Sequence, residues 1–305
     1  MDETRGGEGS EGSEGSEGSE GSEGSEGSEG GRQTDELEVP EPRDLKWALV
    51  LGSSSGFGAA TAAALAEEAG LSICGVHLRR PTDQDAFEET KARIEAAGCR
   101  YIPFNMNAAN PDRRKEALDK MAAEMGGSGF RVVLHSLAFG TLKPYIAARP
   151  EDAITQQNME MTLDVMAHSL VYWVQESLSR GLLGRGSRIF AMTSAGSVRV
   201  VPSYGAVSAA KAALESHIRQ LAYELAPRGI TANSVRAGVT DTPALRKIPG
   251  NERLVEGALS RNPSGRLTTT RDVAQFIALL ARPGHGADWL TGNVLGVDGG
   301  EEVSG

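Results

Sequence analysis

Short runs of consecutive apolar residues alternate along this chain with longer stretches that have a helical pattern. Such runs are typical of buried strands, and the stretches between them are typical of helices. The predicted strands cover 47–51, 71–78, 101–105, 130–135, 187–192, 230–235 and 293–297. The predicted helices cover about 59–69, 83–97, 112–125 and 159–180, with one that ends near 226 and one that begins near 271.

The predicted strands are continuously apolar rather than alternating, which indicates a parallel sheet covered by helices on both faces. We therefore predict a doubly wound, Rossmann-like α/β domain with about seven strands. Ligands of such a domain bind at the carboxyl ends of the strands. The run from 241 to about 262 interrupts the alternation, and we predict an irregular segment there that covers a substrate as a lid.

The first 36 residues are almost entirely glycine, serine and glutamate, with a Glu-Gly-Ser triplet repeated between 8 and 30. They contain twelve acidic residues and two arginines, so their charge of −10 equals the net charge of the whole chain. The remainder is close to neutral, and the acidic balance says nothing about its substrate. We predict a disordered tail over 1–36, a linker over 37–44 and one domain over 45–305. An acidic interaction tail is the alternative.

The composition also bears on the compartment. No stretch approaches the roughly 20 apolar residues of a membrane-spanning helix, and the acidic N-terminus fits neither a secretory signal nor a transit peptide. Cys74 and Cys99 fall in predicted core elements without metal-ligand spacing. We therefore predict a cytoplasmic protein with reduced thiols, no metal site, and neither a nucleic-acid nor a membrane partner.

A glycine-rich turn follows the first predicted strand and reads Gly52-Ser53-Ser54-Ser55-Gly56-Phe57-Gly58. The first glycine permits a tight turn, the second lets the backbone approach a pyrophosphate, and the third allows close packing of helix on strand. The free N–H groups of the following helix then face the phosphates. In this strand–turn–helix context, the turn predicts a dinucleotide site.

The end of the second predicted strand indicates which dinucleotide binds. A cofactor without a 2′-phosphate usually requires Asp or Glu there, whereas this chain has His77-Leu78-Arg79-Arg80. A guanidinium suits the 2′-phosphate because it makes charge-assisted, bidentate hydrogen bonds. We predict NADP(H), with Arg79 at the phosphate because it comes earlier after the strand. Two solvated arginines at a strand end are the alternative.

The candidate catalytic pair is Tyr204 and Lys211, which lie seven residues apart after the fifth predicted strand. Seven helical residues turn through about 700°, so both side chains would share one face. The lysine can hold nicotinamide-ribose hydroxyls, and its charge can stabilise negative charge on the tyrosine oxygen. An interior tyrosine and a surface lysine would be the alternative for an isolated pair. This pair, however, lies where a doubly wound fold has its active site.

These motifs, in this order, resemble the short-chain dehydrogenase/reductase superfamily over about 45–300. The Tyr-x6-Lys spacing is similar to that of enoyl-acyl-carrier-protein reductases, whereas the usual ketone reductases have Tyr-x3-Lys. Val207 occupies the tyrosine position of that second pattern. The sequence is similar to the NADPH-dependent type III enoyl reductases of bacteria in four segments, 194–199, 204–215, 241–249 and 262–266.

The resemblance implies roles for individual residues. Tyr204 would donate a hydrogen bond to a thioester carbonyl as it becomes an enolate, Lys211 would bind the ribose, and Ser194 occupies the position of the ketone-reductase serine. The implied cofactor contacts, besides Lys211, the glycine-rich turn and Arg79, are Asn107, Ala108, His135, Ser136, Leu137, Ala138, Gly238, Thr240 and Thr242.

Two titratable residues in this region are not expected to take part in catalysis. His135 lies within the predicted cofactor turn, where a packing or hydrogen-bonding role is expected rather than acid–base chemistry. Asp164 falls at the position of the proton-relay asparagine of ketone reductases, and we expect a solvated helix carboxylate there.

The resemblance implies an NADPH-dependent enzyme that reduces the 2,3 double bond of a trans-2-enoyl thioester in fatty acid synthesis. The acyl group would be carried on acyl carrier protein or coenzyme A, and the enzyme would be a homo-oligomer, typically a tetramer. Two alternatives stay open. One is a ketone or 3-oxoacyl reductase that uses Tyr204 and Ser194. The other is a non-catalytic NADP(H)-binding module whose acidic tail recruits a partner.

Overall fold

The computed structural model describes residues 41–78, 84–284 and 286–304. Arg79, and with it the prediction for the 2′-phosphate, lies outside the described residues. The predicted tail over 1–36 and part of the predicted linker lie outside them as well. The described part of the chain forms a single α/β domain.

Seven parallel strands form one sheet in the order β3-β2-β1-β4-β5-β6-β7. The strands are β1 Leu45–Leu51, β2 Ser72–His77, β3 Tyr101–Asn105, β4 Gly129–His135, β5 Arg188–Thr193, β6 Thr231–Ala237 and β7 Val294–Val297. The helices are α1 Gly56–Ala69, α2 Gln84–Ala96, α3 Pro111–Met125, α4 Gln156–Leu163, α5 Ser169–Ser179, α6 Gly205–Leu225, α7 Asn251–Arg261 and α8 Thr270–Ala281. The predicted doubly wound fold is confirmed, and the strand order reverses between β1 and β4, where such folds bind ligands.

The side chains of β1 alternate between the two faces of the sheet. Leu49 and Leu51 pack in a core with residues of α3, α5 and α6. Ala48 and Val50 pack in a second core with residues of α1 and α8. All four side chains are fully buried. Because both faces are covered from Trp47 onward, positions 47–51 are all apolar and do not alternate, whereas Lys46 at the start of the strand is exposed.

The predicted helix over 159–180 differs from the structure in its middle. A helical path runs from Gln156 to Ser179, but Asp164–His168 form one π-helical turn between α4 and α5. The Ser169 hydroxyl donates a hydrogen bond to the Val165 carbonyl oxygen across this turn, at 2.8 Å. A π turn adds one residue to a helix and changes the spacing of apolar positions too little to be recognised in a single sequence. Such turns are frequent at functional sites.

The prediction of an irregular segment over 241–262 is wrong in its second half, where α7 covers Asn251–Arg261. Ala258 is the only fully buried residue of this helix, and Gly257 interrupts its pattern. Leu254, Val255 and Ala258 nevertheless form an apolar stripe at helical spacing, which was a usable signal for this helix.

None of the helices among the described residues combines the length and apolar character that crossing a bilayer requires. Cys74 is buried, Cys99 is half-buried, and neither forms a disulfide. Within the described ranges, no three side chains of the His, Cys, Asp or Glu types are grouped so that they could hold a metal ion.

Candidate active site

The residues predicted for the site lie along one edge of the sheet, after the carboxyl ends of five strands. Gly52 follows β1, Asn107 follows β3, Ser136 follows β4, Ser194 follows β5 and Gly238 follows β6. Because the strands are parallel and adjacent, their carboxyl ends form one edge with a crevice beside it.

The glycine-rich turn packs against the backbone that follows β4. Gly52 has a φ of +97°, and a Cβ there would lie 2.3 Å from the carbonyl oxygen of Ser136. A Cβ on Gly58 would lie 2.1 Å from the carbonyl oxygen of Gly52. Any side chain at either position would collide with backbone atoms, so this packing requires glycine at both.

The first turn of α1 is open to an anion. Ser55 is the N-cap residue, but its side chain makes no capping hydrogen bond, and the first turn contains no acidic residue. The N–H groups at this end therefore lack a side-chain acceptor, and the helix dipole favours negative charge beside them. A Cβ on Gly56 would lie 3.8 Å from Thr242, so the loop after β6 borders the same space. These features fit the pyrophosphate of a dinucleotide.

Ser53 points into the protein rather than toward this space. Its hydroxyl is fully buried, 3.3 Å from Nδ1 of His77 and 3.2 Å from the hydroxyl of Tyr101. The side chain therefore connects the glycine-rich turn to β2 and β3. Any contact of Ser53 with a cofactor would be made by its backbone.

The remaining predicted cofactor residues differ in their exposure to solvent and in their hydrogen bonds. Asn107 is exposed, and its Oδ1 accepts a hydrogen bond from Ala109 N–H at 3.0 Å. Ala108 is buried, and its carbonyl oxygen accepts a hydrogen bond from Trp173 Nε1 at 2.9 Å. Ser136 and Leu137 are half-buried, while Ala138 is exposed.

The hydroxyls of Thr240 and Thr242 hold the loop that follows β6. Thr240 Oγ1 donates to the Gly238 carbonyl oxygen at 2.9 Å, and Thr242 Oγ1 accepts from Leu245 N–H at 3.2 Å. Both threonines are buried. Their side chains therefore fix the shape of the loop predicted to bracket the nicotinamide.

His135 is a neutral, fully buried side chain at the end of β4. Its Nε2 lies 3.0 Å from Ser169 Oγ, and since that hydroxyl donates to Val165, Nε2 is the atom that carries the proton. Burial, aided by the nearby charge of Lys211, lowers the pKa of His135 to about 3. This agrees with the expected hydrogen-bonding role and excludes the imidazolium at neutral pH.

Tyr204 lies directly before α6, which begins at Gly205. Tyr204 is the N-cap residue of this helix, and its carbonyl oxygen accepts the first helical hydrogen bond, from Ser208 N–H at 2.8 Å. The preceding residue, Ser203, has a φ of +59° and is the only non-glycine residue with positive φ among the described residues. Such a backbone conformation costs about 1–3 kcal/mol and occurs at sites where orientation matters. Here it turns the chain immediately before the tyrosine.

The phenol ring of Tyr204 packs beside Ser194. A Cβ on Gly196 would lie 2.7 Å from the ring and 3.2 Å from Ser194 Oγ. That Oγ is buried and makes no hydrogen bond of standard geometry with any described residue, yet it is close enough to the phenol to favour the ionised form. Burial has the larger and opposite effect, so the pKa of Tyr204 is raised. The phenol is protonated at neutral pH and can donate a hydrogen bond.

Lys211 is buried two turns into α6, and its Nζ donates a hydrogen bond to the Met192 carbonyl oxygen at 2.6 Å. Burial lowers the pKa of Lys211 to about 8, while the carboxylate of Glu215 opposes this effect. Glu215 accepts a hydrogen bond from Thr193 Oγ1 at 2.7 Å and lies 3.5 Å from Arg236. Sequence reasoning did not single out Glu215, although its place four residues after Lys211 on the same helix was a usable signal.

The lowered pKa of Lys211 leads to a prediction for the pH profile. The group is an ammonium below its pKa and a neutral amine above it, so functions that need the charge are lost as the pH rises through about 8. We expect kcat/KM for the nicotinamide nucleotide to fall above that pH, and the fall should approach tenfold per pH unit. The profile is measured from pH 6 to 10 at a saturating concentration of the second substrate, and Glu215→Gln should move the fall to lower pH. A flat profile across this range would contradict the assignment.

Comparison with known proteins places these features in a family. The profile of a family described as "Enoyl-(Acyl carrier protein) reductase" matches residues 52–302. A 1-cyclohexenylcarbonyl-CoA reductase of Streptomyces collinus is 29% identical over 84% of this chain and 86% of its own length. The 3-oxoacyl-[acyl-carrier-protein] reductase FabG of Thermotoga maritima is 27% identical over 84% of this chain and 97% of its own.

A solved structure supports the same grouping. A short-chain dehydrogenase from Burkholderia cenocepacia in complex with NADP has a TM-score of 0.70 at 28% identity, covering 85% of this chain and 98% of that one. Fold and site together define an NAD(P)-dependent reductase. The chain belongs to the short-chain dehydrogenase/reductase superfamily and, within it, to the family whose profile it matches. The relative named as a CoA reductase and the relative named as a 3-oxoacyl reductase have similar identities to this chain, so sequence identity does not distinguish which bond this chain reduces.

Proposed function

We propose that this protein uses NADPH to reduce the 2,3 double bond of trans-2-enoyl thioesters in fatty acid synthesis. The observation that carries the proposal is the position of the half-buried Tyr204 phenol. Tyr204 stands at the start of α6 beside Ser194, and Val207, where ketone reductases of the superfamily have their tyrosine, is a buried core residue. The only phenol of the 204–211 segment is thus at the position found in enoyl reductases.

The chain's own residues supply orientation and charge stabilisation. When bound, NADPH would supply the hydride that the β-carbon of the enoyl group accepts. Tyr204 would donate a hydrogen bond to the thioester oxygen, where negative charge develops, and the α-carbon would then take a proton from solvent water to give the saturated thioester. Lys211 holds the nicotinamide ribose and stabilises charge near the phenol oxygen. The glycine-rich turn and the loops after β3, β4 and β6 hold the rest of the dinucleotide.

Apolar side chains near the mouth of the site support an acyl substrate. The ring of Tyr145 lies directly beside Gly205, where an added Cβ would be 2.6 Å from Tyr145 Cζ. Ile146, Val198 and Val200 are exposed in the segments after β4 and β5. Exposed apolar side chains in the segments that flank the candidate catalytic residues favour a ligand with an apolar portion.

The test compares two thioesters. We expect NADPH oxidation with crotonyl thioester and at least a hundredfold lower kcat/KM with acetoacetyl thioester, which would be a difference of about 2.7 kcal/mol in transition-state stabilisation. The two thioesters have the same carrier and the same acyl chain length. A difference in kcat/KM therefore reports which bond is reduced and not a difference in carrier or chain length. Faster oxidation with acetoacetyl thioester would refute the proposal, and oxidation with neither would favour the non-catalytic module.

A second candidate, a ketone or 3-oxoacyl reductase, is favoured by one observation. Ser194 Oγ lies beside the Tyr204 phenol without a hydrogen bond of standard geometry, so two hydroxyls could meet a substrate carbonyl. In this alternative, Ser194→Ala would reduce turnover of acetoacetyl thioester severely. For enoyl reduction we expect a loss of no more than about tenfold, the value of one neutral hydrogen bond.

The preference for NADPH gives a separate prediction. We expect Arg79→Ala to raise the Kd of NADPH about 10- to 100-fold, the loss of charge-assisted hydrogen bonds to the 2′-phosphate, and to leave the Kd of NADH nearly unchanged. Arg80→Ala is the matched control and should affect NADPH less. Equal weakening of both nucleotides by Arg79→Ala would exclude the assignment. Both constants are measured by fluorescence titration of the nucleotide.

Three further features complete the proposal. The acyl group is carried by acyl carrier protein or coenzyme A. The enzyme is a homo-oligomer, with a tetramer the arrangement suggested by the resemblance. It acts in the cytoplasm, a setting in keeping with the two unpaired cysteines of the described chain.

A further inference from the structure

The turn after β7 places a buried carboxylate against the loop that follows β6. Glu301 is 4% exposed. Its Oε2 accepts a hydrogen bond from Val239 N–H at 2.9 Å, and its Oε1 lies 3.3 Å from Nη2 of Arg261 at the end of α7. One side chain therefore contacts both the loop predicted to bracket the nicotinamide and the helix of the predicted lid.

The packing around this carboxylate leaves little freedom. A Cβ on Gly238 would lie 2.8 Å from Glu301 Oε2 and 2.4 Å from Thr268 Oγ1. The backbone at Gly238 can therefore approach Glu301 only because it has no side chain. Small movements of Glu301 would be transmitted directly to the first residues of the loop.

The turn that carries Glu301 is itself held firmly. Asp298 accepts hydrogen bonds from Gly300 N–H at 3.0 Å and from Glu302 N–H at 3.1 Å. Asn262, the residue after α7, donates from Nδ2 to the Asp298 carbonyl oxygen at 2.9 Å. The turn thus presents Glu301 in a fixed position and is joined a second time to the end of α7.

We propose that Glu301 is a positioning residue for the nicotinamide loop and that, with Arg261, it couples the loop to α7. This inference rests on the proposed function because it takes residues 238–242 as part of the cofactor site. Without the carboxylate, the Val239 N–H loses its acceptor and the Arg261 guanidinium loses its partner. A buried donor without an acceptor favours other backbone conformations, and ordering the loop would then oppose nucleotide binding.

The test measures nucleotide binding, with no acyl substrate present. We expect Glu301→Ala to raise the Kd of NADPH about tenfold, the loss of one hydrogen bond to a charged group. Glu301→Gln keeps an acceptor for Val239 N–H and should restore the Kd to within about threefold of the parent. Glu302→Gln is the matched control, because this neighbouring carboxylate pairs with Arg199 instead; its Kd should equal the parent's.

Kinetics distinguish positioning from a general loss of structure. Glu301→Ala should raise the KM for NADPH while kcat at saturating NADPH stays within about threefold of the parent. Should Glu301→Ala fail to fold, Glu301→Asp keeps the charge but withdraws it from Val239, and an intermediate Kd is expected. Unchanged binding by the Ala or Asp variant, or equal weakening by Glu302→Gln, would overturn the inference.

The outcomes for this inference and for the proposed function are separable. NADPH binding that depends on Glu301, in a protein that reduces no enoyl thioester, would support the positioning role and refute the proposed reaction. Enoyl reduction with binding independent of Glu301 would do the reverse.

Discussion

Replacing Tyr204 by phenylalanine is expected to lower kcat for crotonyl thioester about 100- to 1000-fold, the usual cost of removing one oxyanion donor. The ring stays in place against Gly196, so packing is retained, and only the hydrogen bond to the developing enolate oxygen is lost. Because the phenol is not predicted to contact the nucleotide's phosphates or adenosine, the Kd of NADPH should change less than about threefold.

The tyrosine within α6 controls for the loss of a phenol. Tyr223 is exposed near the other end of the helix, and Tyr223→Phe should leave kcat and Kd unchanged. Single-turnover measurements with NADPH bound in advance separate the chemical step from product release. An unaltered single-turnover rate in Tyr204→Phe would remove this residue from the mechanism.

Replacing Lys211 by methionine should damage both binding and chemistry. The variant keeps the length of the side chain but removes the ammonium that holds the ribose hydroxyls. We expect the Kd of NADPH to rise at least about tenfold and kcat to fall about a further hundredfold, since hydrogen bonds to a charged group contribute about 1.5–3 kcal/mol each. The combined loss in kcat/KM would then exceed that of any variant near the cofactor loops.

The free energy of unfolding distinguishes a functional defect of the Lys211→Met variant from misfolding. Burial disfavours the Lys211 ammonium, as its lowered pKa shows, so the methionine variant removes a costly buried charge. Glu215 keeps its contacts with Thr193 and Arg236. The loss of the hydrogen bond from Lys211 Nζ to the Met192 carbonyl oxygen acts in the opposite direction, so we expect the free energy of unfolding at pH 7 to stay within about 2 kcal/mol of the parent's. A strongly destabilised variant, or one with unimpaired kcat/KM, would contradict the assigned role.

The fold follows from the sequence because its strongest determinants are local or nearly so. In β1, burial on both faces requires apolar side chains at positions 47–51, and that pattern is visible without any structure. Gly52 and Gly58 are equally readable, because backbone atoms approach them too closely for any other residue. The most accurate predictions thus concern positions where close packing of neighbouring atoms excludes most types of side chain.

The missed features depend on contacts between distant parts of the chain. Glu301 is one of many glutamates in the sequence, and only its packing against Gly238 and Val239 makes it distinctive. The turn at Ser203 arises from the surroundings of a residue that rarely adopts positive φ.

His135 shows how structure refines a sequence-based expectation. Its position in the cofactor turn predicts a hydrogen-bonding role, but the partner could not be named from the sequence. Ser169 comes within reach because it directly follows the π turn of Asp164–His168. The N–H group of His135 Nε2 therefore finds its acceptor, Ser169 Oγ, beside a π turn that the periodicity of the sequence does not reveal.

The central claim is that hydride reaches a carbon–carbon double bond polarised by a thioester. The most direct measurement incubates the protein with equal amounts of crotonyl and acetoacetyl thioesters and NADPH deuterated at its transferable position. Mass spectrometry should show singly deuterated butyryl thioester, with the acetoacetyl thioester unconsumed. Deuterated 3-hydroxybutyryl thioester, formed while the crotonyl thioester remains, would contradict the account.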